Sequence, residues 1–364
     1  MSGAPPLVLR KASWRAGALA ATLLLAAIGA AAAFAPFVAP CDPRRANDAE
    51  SHLPPNVSFV DSSGRVNAWP VVRSMVRRVG ADGARGWEAV AGADAPLRLF
   101  ARGEPYDVAV PGLPRLRCNL HLFGIGAGGP APHLLGTDLR GRDLFARVVH
   151  GARVSLAIAV VGVLVSFSIG MAVGGIAGWF GGRIDGALMR LCELLMLVPG
   201  YYVLLALRGA LPDTTHWPAT RVQATVVCIV SAIWWAGLAR TVRGQVLAIK
   251  ARDHVQAARA LGAGAARIVL RHLLPGTLPS ALVAAALALP GYVVMESGLS
   301  MLGLGVQEPE PSWGGLLAEA TRVSQLAQRP WMLAPGVILC VTVAAFLTVG
   351  DALRARNSAP AAAR

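Results

Sequence analysis

The chain has 364 residues, 55% of them hydrophobic and only 15% charged, with a formal net charge of +14. That apolar excess rules out an ordinary soluble domain and points to a bilayer as the solvent. Arginines beside apolar runs then read as topology signals and lipid-headgroup contacts, which sets nucleic-acid binding aside.

A hydrocarbon core about 30 Å thick needs about 20 apolar residues per helix. Six such runs occur, at 16–39, 153–179, 187–210, 222–247, 280–303 and 331–350. The first follows Arg10, Lys11 and Arg15 and ends near a cleavable-looking "AFA". It is nevertheless longer than a secretory h-region, and cleavage would leave Pro36 at the new N-terminus, so a retained helix is expected. Small residues such as "SIGMAVGGIAG" in the second run allow helices to approach closely.

Residues 40–152 follow the first run. "PLRLFARGEPYDVAV" and "LRCNLHLFGIG" hold short apolar runs bounded by Gly and Pro, which predicts strands in a folded lobe. Cys41 and Cys118 both fall here and could be bridged on an oxidising side, whereas Cys192, Cys228 and Cys340 lie within apolar runs as small buried hydrophobes. In "HLLGTDLRGRDLFARVVHGARVSL", a helix starting near Arg142 sets Leu144, Phe145, Val148, Val149 and Ala152 against Arg142, Arg147, His150 and Arg153. This predicts an amphipathic helix lying flat at the interface, its basic face among headgroups.

Short-segment arginines set the orientation. Arg10, Lys11 and Arg15, then Arg183 and Arg190, then Lys250, Arg252, Arg259, Arg267 and Arg271, then Arg354, Arg356 and Arg364 all fall on one side of a six-span layout. By the positive-inside rule that side and both termini are cytoplasmic, and the long 40–152 segment is outside whatever its charge.

The fourth connection contains "HVQAARALGAGAARIVLRHLLP", residues 254–275. A slim, alanine-rich helix should end at Gly262-Ala263-Gly264, where glycine admits positive φ, and a second short helix should run to Leu274 before Pro275 and Pro279. Arg259, Arg267 and Arg271 group on the outer surface. "QAARALGAGAARIVLRHLLP" resembles the signature of ATP-binding-cassette importer permeases. "LLGTDLRGRDLFARVVHGARVSL", "SGLSMLGLGVQEPEPSWGGLL" and "FLTVGDALR" resemble, in order, blocks of the dipeptide and oligopeptide permeases, C-type subunits of the peptide/nickel family. Gln256 stands where the family often has Glu, and its carbonyl is expected to keep the contact; Gly276 stands where Asn is common.

The resemblance implies an all-α integral membrane protein with six transmembrane helices and an extracytoplasmic insertion between the first two. The expected parts are a cytoplasmic N-terminus and first helix (1–39), the insertion with its interfacial helix (40–152), a transmembrane core (153–350, coupling loop 248–279) and a cytoplasmic tail (351–364). It further implies a bacterial inner-membrane permease that forms half of a translocation path. Its partners would be a second related permease, two cytoplasmic ATPase subunits that use ATP and Mg, an extracytoplasmic solute-binding protein and membrane lipid. The coupling residues would be Gln256, Ala257, Ala258, Gly262, Arg271, His272 and Pro275. Peptide leads as solute, with nickel chelates and sugars also admitted.

Independently of the resemblance, the two lysines, Lys11 and Lys250, do not follow Gly, so no phosphate loop exists and no cofactor is expected in this chain. The seven histidines form no HExxH, no GxSxG elbow occurs, and neither a metal site nor catalysis is expected. Glu193 and Glu296, in or near apolar runs, are expected to face protein or a water-filled path; a proton-coupled secondary transporter or channel is the alternative they leave open.

Overall fold

The computed structural model describes residues 7–79, 85–108, 116–125, 129–197, 199–200, 217–302, 305–321 and 329–358, with positions 202, 206 and 209. Its helices are α1 (Leu7–Ala33), α2 (Ala35–Val38), α3 (Leu144–Phe180), α4 (Gly182–Leu197), α5 (Ala219–Lys250), α6 (Asp253–Ala260), α7 (Ala265–Ile268), α8 (Leu274–Met301), α9 (Trp313–Thr321) and α10 (Ala334–Ser358). Among the described residues, five helical stretches are long and apolar enough to cross a bilayer: Ala16–Ala33, Leu144–Phe180, Thr220–Lys250, Ala265–Met301 and Pro330–Arg356. The expected run 187–210 is represented by α4 and isolated positions, and the rest of it lies outside the described residues. The chain divides into two compact units, Met1–Ala26 with Leu156–Gly305 and Leu339–Arg364, and Ala27–Ser155 with Val306–Ile338.

The first unit is helical. Val242, Val246 and Ile249 of α5 pack with Val255, Ile268, Leu273 and Ala281, and Cys192 of α4 packs with Trp235, Ala236 and Ala239 of α5. The small-residue run in α3 has a direct use. A Cβ at Gly174 would stand 2.4 Å from the Ala239 carbonyl oxygen, so only glycine lets α3 and α5 approach this closely. Helix α8 carries Pro279 and Pro290 in its interior.

The second unit corrects the all-α expectation, because it holds seven strands. Val57–Val60 (β1), Val66–Val72 (β2) and Ala95–Pro96 (β5) form an antiparallel sheet in the order β1-β2-β5. Met75–Val79 (β3) pairs with Arg85–Ala89 (β4), and Arg98–Val108 (β6) with Leu116–Gly124 (β7). The strand prediction for both quoted segments is met by β6 and β7. Val72, Leu97 and Phe123 are buried together against Phe145. Leu144 and Val148 pack with Leu316 and Ala320 of α9 and with Met332.

The separate interfacial helix is also corrected. It starts at Leu144 and runs unbroken to Phe180. Half of its basic face is turned inward: Arg142 and Arg147 are 5% and 2% exposed, while Arg153 is exposed. Buried guanidinium groups require partners, and carboxylates supplied by distant segments provide them.

Candidate functional site

The helix pair after α5 is built as a clamp on its own unit with an open outer face. Lys250, the last residue of α5, donates its Nζ to the Trp179 carbonyl at 2.6 Å and lies over that residue's ring. The chain turns at Arg252 and enters α6, whose one buried residue, Val255, joins the core under the loop. Helix α6 ends in a Schellman arrangement: Ala263 N–H donates to the Ala258 carbonyl (3.1 Å) and Gly262 N–H to that of Arg259 (3.0 Å), with Gly262 at φ +79°. A Cβ at Gly262 would meet nothing within 4 Å, so the demand there is on backbone conformation alone. Beyond Gly264, α7 passes through a π-helical turn, Val269–Leu273, into α8 with Pro275 in its first turn. Ile268 and Leu273 are buried on the inner side.

The outer side carries Gln256, Ala257, Arg259, Ala260, Arg267 and Arg271, all exposed, while Ala258 is half-buried. His272 faces His254, ring centroids 6.3 Å apart. Two residues missed by the sequence reading complete this face: Leu261 and Leu270, 89% and 67% exposed. Their signal was an apolar side chain beside a glycine break, where a helix has no core left to face. Gln256 departs from expectation in its chemistry. Its Nε2 donates to the Lys250 carbonyl at 2.9 Å and so caps α5, a bond that needs the amide NH₂ and that an ionised carboxylate could not make.

The two carboxylates separate. Glu296 is fully buried in α8 and accepts from Ser300 Oγ at 2.8 Å. Glu193, expected inside, is partly exposed on α4 beside Arg190 Nη1, 3.5 Å away.

In the second unit, "GTDLRGRD" is the centre of an ionic clamp. Asp138 accepts from Arg142 Nε at 2.7 Å and from Arg147 Nη1. Arg147 also grips Glu319 of α9 with both terminal nitrogens, at 2.6 and 2.8 Å, and Arg142 reaches Glu308 and Glu319 at 2.9 and 3.0 Å. Burial works to raise the Glu308 carboxyl, yet its bonds to Glu319 and Arg142 hold it down at about 2; burial raises Glu319 above the usual carboxylate range. Gly141 lies at φ +68°, where a Cβ would fall 1.8 Å from the Asn47 carbonyl oxygen. Trp313 Nε1 donates to the Val148 carbonyl at 3.0 Å, tying α9 to the start of α3.

Cys41 and Cys118, which could be bridged, stand as free thiols in this structure. Cys118 lies in β7 opposite Tyr106, whereas Cys41 sits with His133 and Asp143. In that second grouping, donor atoms of Cys41, His133 and Asp143 all lie within 4.8 Å of one another. His133, pulled down by burial but held more strongly by Asp143 and Glu50, is raised to about 9.

Residues 170–359 match the family described as "Binding-protein-dependent transport system inner membrane component". The oligopeptide transport system permease protein OppC of Haemophilus influenzae is 38% identical over 223 residues, covering 61% of this chain and 68% of that protein. The dipeptide transport system permease protein DppC of Bacillus subtilis is 38% identical over 225 residues, covering 62% and 68%. An inward-facing structure of the MetNI methionine ABC transporter is 24% identical, covers 58% of this chain and 97% of that one, and has a TM-score of 0.45. Long apolar helices with these relatives define a multi-pass inner-membrane permease subunit of an ATP-driven importer. The chain belongs to the binding-protein-dependent transport system inner membrane component family. It is a transport subunit and not by itself an enzyme; ATPase activity belongs to partner subunits.

Proposed function

We propose that this chain forms half of a translocation path for peptides or similar small solutes, paired with a second, related permease, and that α6 and α7 seat in a cleft of a cytoplasmic ATPase subunit. The carrying observation is the outer face of that helix pair: Leu261 and Leu270 stand exposed among Arg259, Arg267 and Arg271, on a backbone fixed from beneath by Val255, Ile268 and Leu273. A rigid, apolar and cationic knob suits a groove in a partner better than a solute path, because its open side faces away from the helices it is anchored to. Gln256, Ala257, Ala258, Gly262, Arg271, His272 and Pro275 then shape or present the knob. Six spans place both termini inside with residues 40–152 outside, where an extracytoplasmic binding protein delivers solute; two ATPase subunits supply ATP and Mg chemistry, and lipid surrounds the spans. The peptide class is supported by the names of the relatives, oligopeptide and dipeptide permeases. The carrier or channel alternative gains little from Glu193, which is partly exposed with Arg190 3.5 Å away.

The test uses Gly262→Val and Ala258→Glu in the assembled importer. Both should leave insertion and permease pairing intact, yet weaken co-purification of the ATPases or uncouple their hydrolysis from uptake in proteoliposomes. Wild-type retention and coupled uptake in both variants would overturn the assignment.

A further inference from the structure

We propose that Cys41, His133 and Asp143 bind a single divalent metal ion of the zinc class within the strand-rich unit. Sulfur, imidazole and carboxylate donors from three separate segments converge there, although no sequence spacing brings them together. His133 is 4% exposed, and its two ring nitrogens are differently placed. Nδ1 meets Asp143 Oδ2 at 2.7 Å, whereas Nε2 pairs with Glu50 Oε2, 3.4 Å away. Ligand atoms around a tetrahedral zinc, at bond lengths of about 2.0–2.3 Å, stand about 3.3–3.8 Å apart. The donor atoms of Cys41, His133 and Asp143, all within 4.8 Å of one another, reach that spacing with shifts on the order of an ångström, the ion taking the place of the proton between Nδ1 and Asp143. Glu50 on Nε2 fixes the ring and its tautomer, the usual support for a metal-bound histidine.

Space and charge fit the same occupant. The cluster opens on a cavity of about 250 Å³ lined by Cys41, Glu50, His133 and Asp143, with Arg45 and His121 on its wall. His121 is not a ligand, because Nδ1 and Nε2 are held by the Ala39 and Glu104 carbonyls at 3.1 and 2.9 Å. A thiolate and the Asp143 carboxylate carry two negative charges, which a divalent ion neutralises; without it, a proton on His133 and one on Cys41 take its place. Metal binding therefore releases protons from those two groups. A merely structural ion pair would need only His133 and the carboxylates. It would not require the buried thiol.

The experiment uses the purified full-length chain in detergent, stripped with a chelator and titrated with Co²⁺, whose thiolate complexes absorb by charge transfer. One equivalent per chain should bind with that band, Zn²⁺ should displace it, and Zn²⁺ should raise Tm, as any ligand of the folded state does. Cys41→Ser should abolish the band and weaken Zn²⁺ binding at least tenfold, while Cys118→Ser keeps both. His133→Gln, which can still hydrogen-bond Asp143, is the second variant and should also lose tight binding, with metal-free Tm showing that each variant folds. No charge-transfer band in the wild type, or a band that survives in Cys41→Ser, overturns the site.

Discussion

His52 is a side chain whose surroundings oppose its charged form. It is 9% exposed, sits at φ +56°, and its Nδ1 is buried without a hydrogen-bond partner. Burial first, then the positive charge of Arg329, push its pKa below the usual 6.5, with Asp138 pulling the other way. In the unfolded chain the ring takes up its proton as pH falls through 6.5; in the folded chain it resists until a lower pH. The unfolded state therefore binds more protons in that window, and stability is lost there as pH falls. His133 acts in a different window: with a folded value of about 9, its contribution is complete below 6.5 and fades as pH rises through 9. The protection factors of the amides in residues 47–56, measured against the intrinsic exchange rate at each pH, should accordingly fall between pH 6.5 and 5 in the wild type. In His52→Asn, which cannot titrate and tolerates the left-handed backbone, that acid sensitivity should disappear. An unchanged acid slope in the variant would show that another group is responsible. At this scale the sequence marked the right block but misread its charges. The arginines of "GTDLRGRD" look like a headgroup-facing stripe because Glu308 and Glu319, their partners, are more than 160 residues away.

At the scale of elements, local conformation was legible and partnership was not. The Gly262 break follows from chemistry within a few residues: an alanine helix, a glycine that accepts φ +79°, and two carbonyls satisfied by the Schellman bonds. The outward leucines and the donor role of Gln256 required knowing what lies beneath the loop. Because a side chain at 262 has free space, the coupling argument predicts a split between two substitutions. Gly262→Asn, which tolerates this backbone, should keep ATPase retention, whereas Gly262→Val should cost about 1–3 kcal/mol of loop stability and lose it. Equal behaviour of the two in co-purification would remove backbone conformation from the explanation. In the clamp of the second unit, Gly141→Ala sets a Cβ against the Asn47 carbonyl and should destabilise by roughly 2–4 kcal/mol. Arg147→Met strands the buried ends of Asp138 and Glu319 and should cost about 3–5 kcal/mol. Adding Glu319→Gln should recover part of that loss, since the two side chains share one bidentate contact and their effects do not add. Thermal unfolding of the single and double variants reads this directly.

For the whole molecule the open quantity is parity, the number of membrane crossings that places the two ends. Among the described residues, five helical stretches are long and apolar enough to cross. An odd count would put the termini on opposite sides, and one further crossing brings them together. Helix α4 has 16 residues, about 24 Å at 1.5 Å per residue, which is short of a hydrocarbon core about 30 Å thick. The apolar run nevertheless continues past Leu197 to residue 210, long enough to complete a span. Charge gives the same answer independently. Arg10, Lys11 and Arg15 near one end, the arginines of the α6–α7 loop, and Arg354 and Arg356 near the other fall on one side only if the run at 187–210 crosses. Single cysteines at three exposed sites, in a background with the native thiols replaced, decide between the counts: Ser63→Cys in the strand-rich unit, Ala260→Cys in the loop and Arg354→Cys in the tail. A membrane-impermeant maleimide should reach position 63 in right-side-out vesicles, and positions 260 and 354 only in inverted ones. A reporter fused ahead of Met1 should share the side of 260 and 354. If positions 260 and 354 are instead labelled from the side of position 63, opposite the N-terminal reporter, the run at 187–210 does not cross, and the six-span arrangement with both termini inside falls.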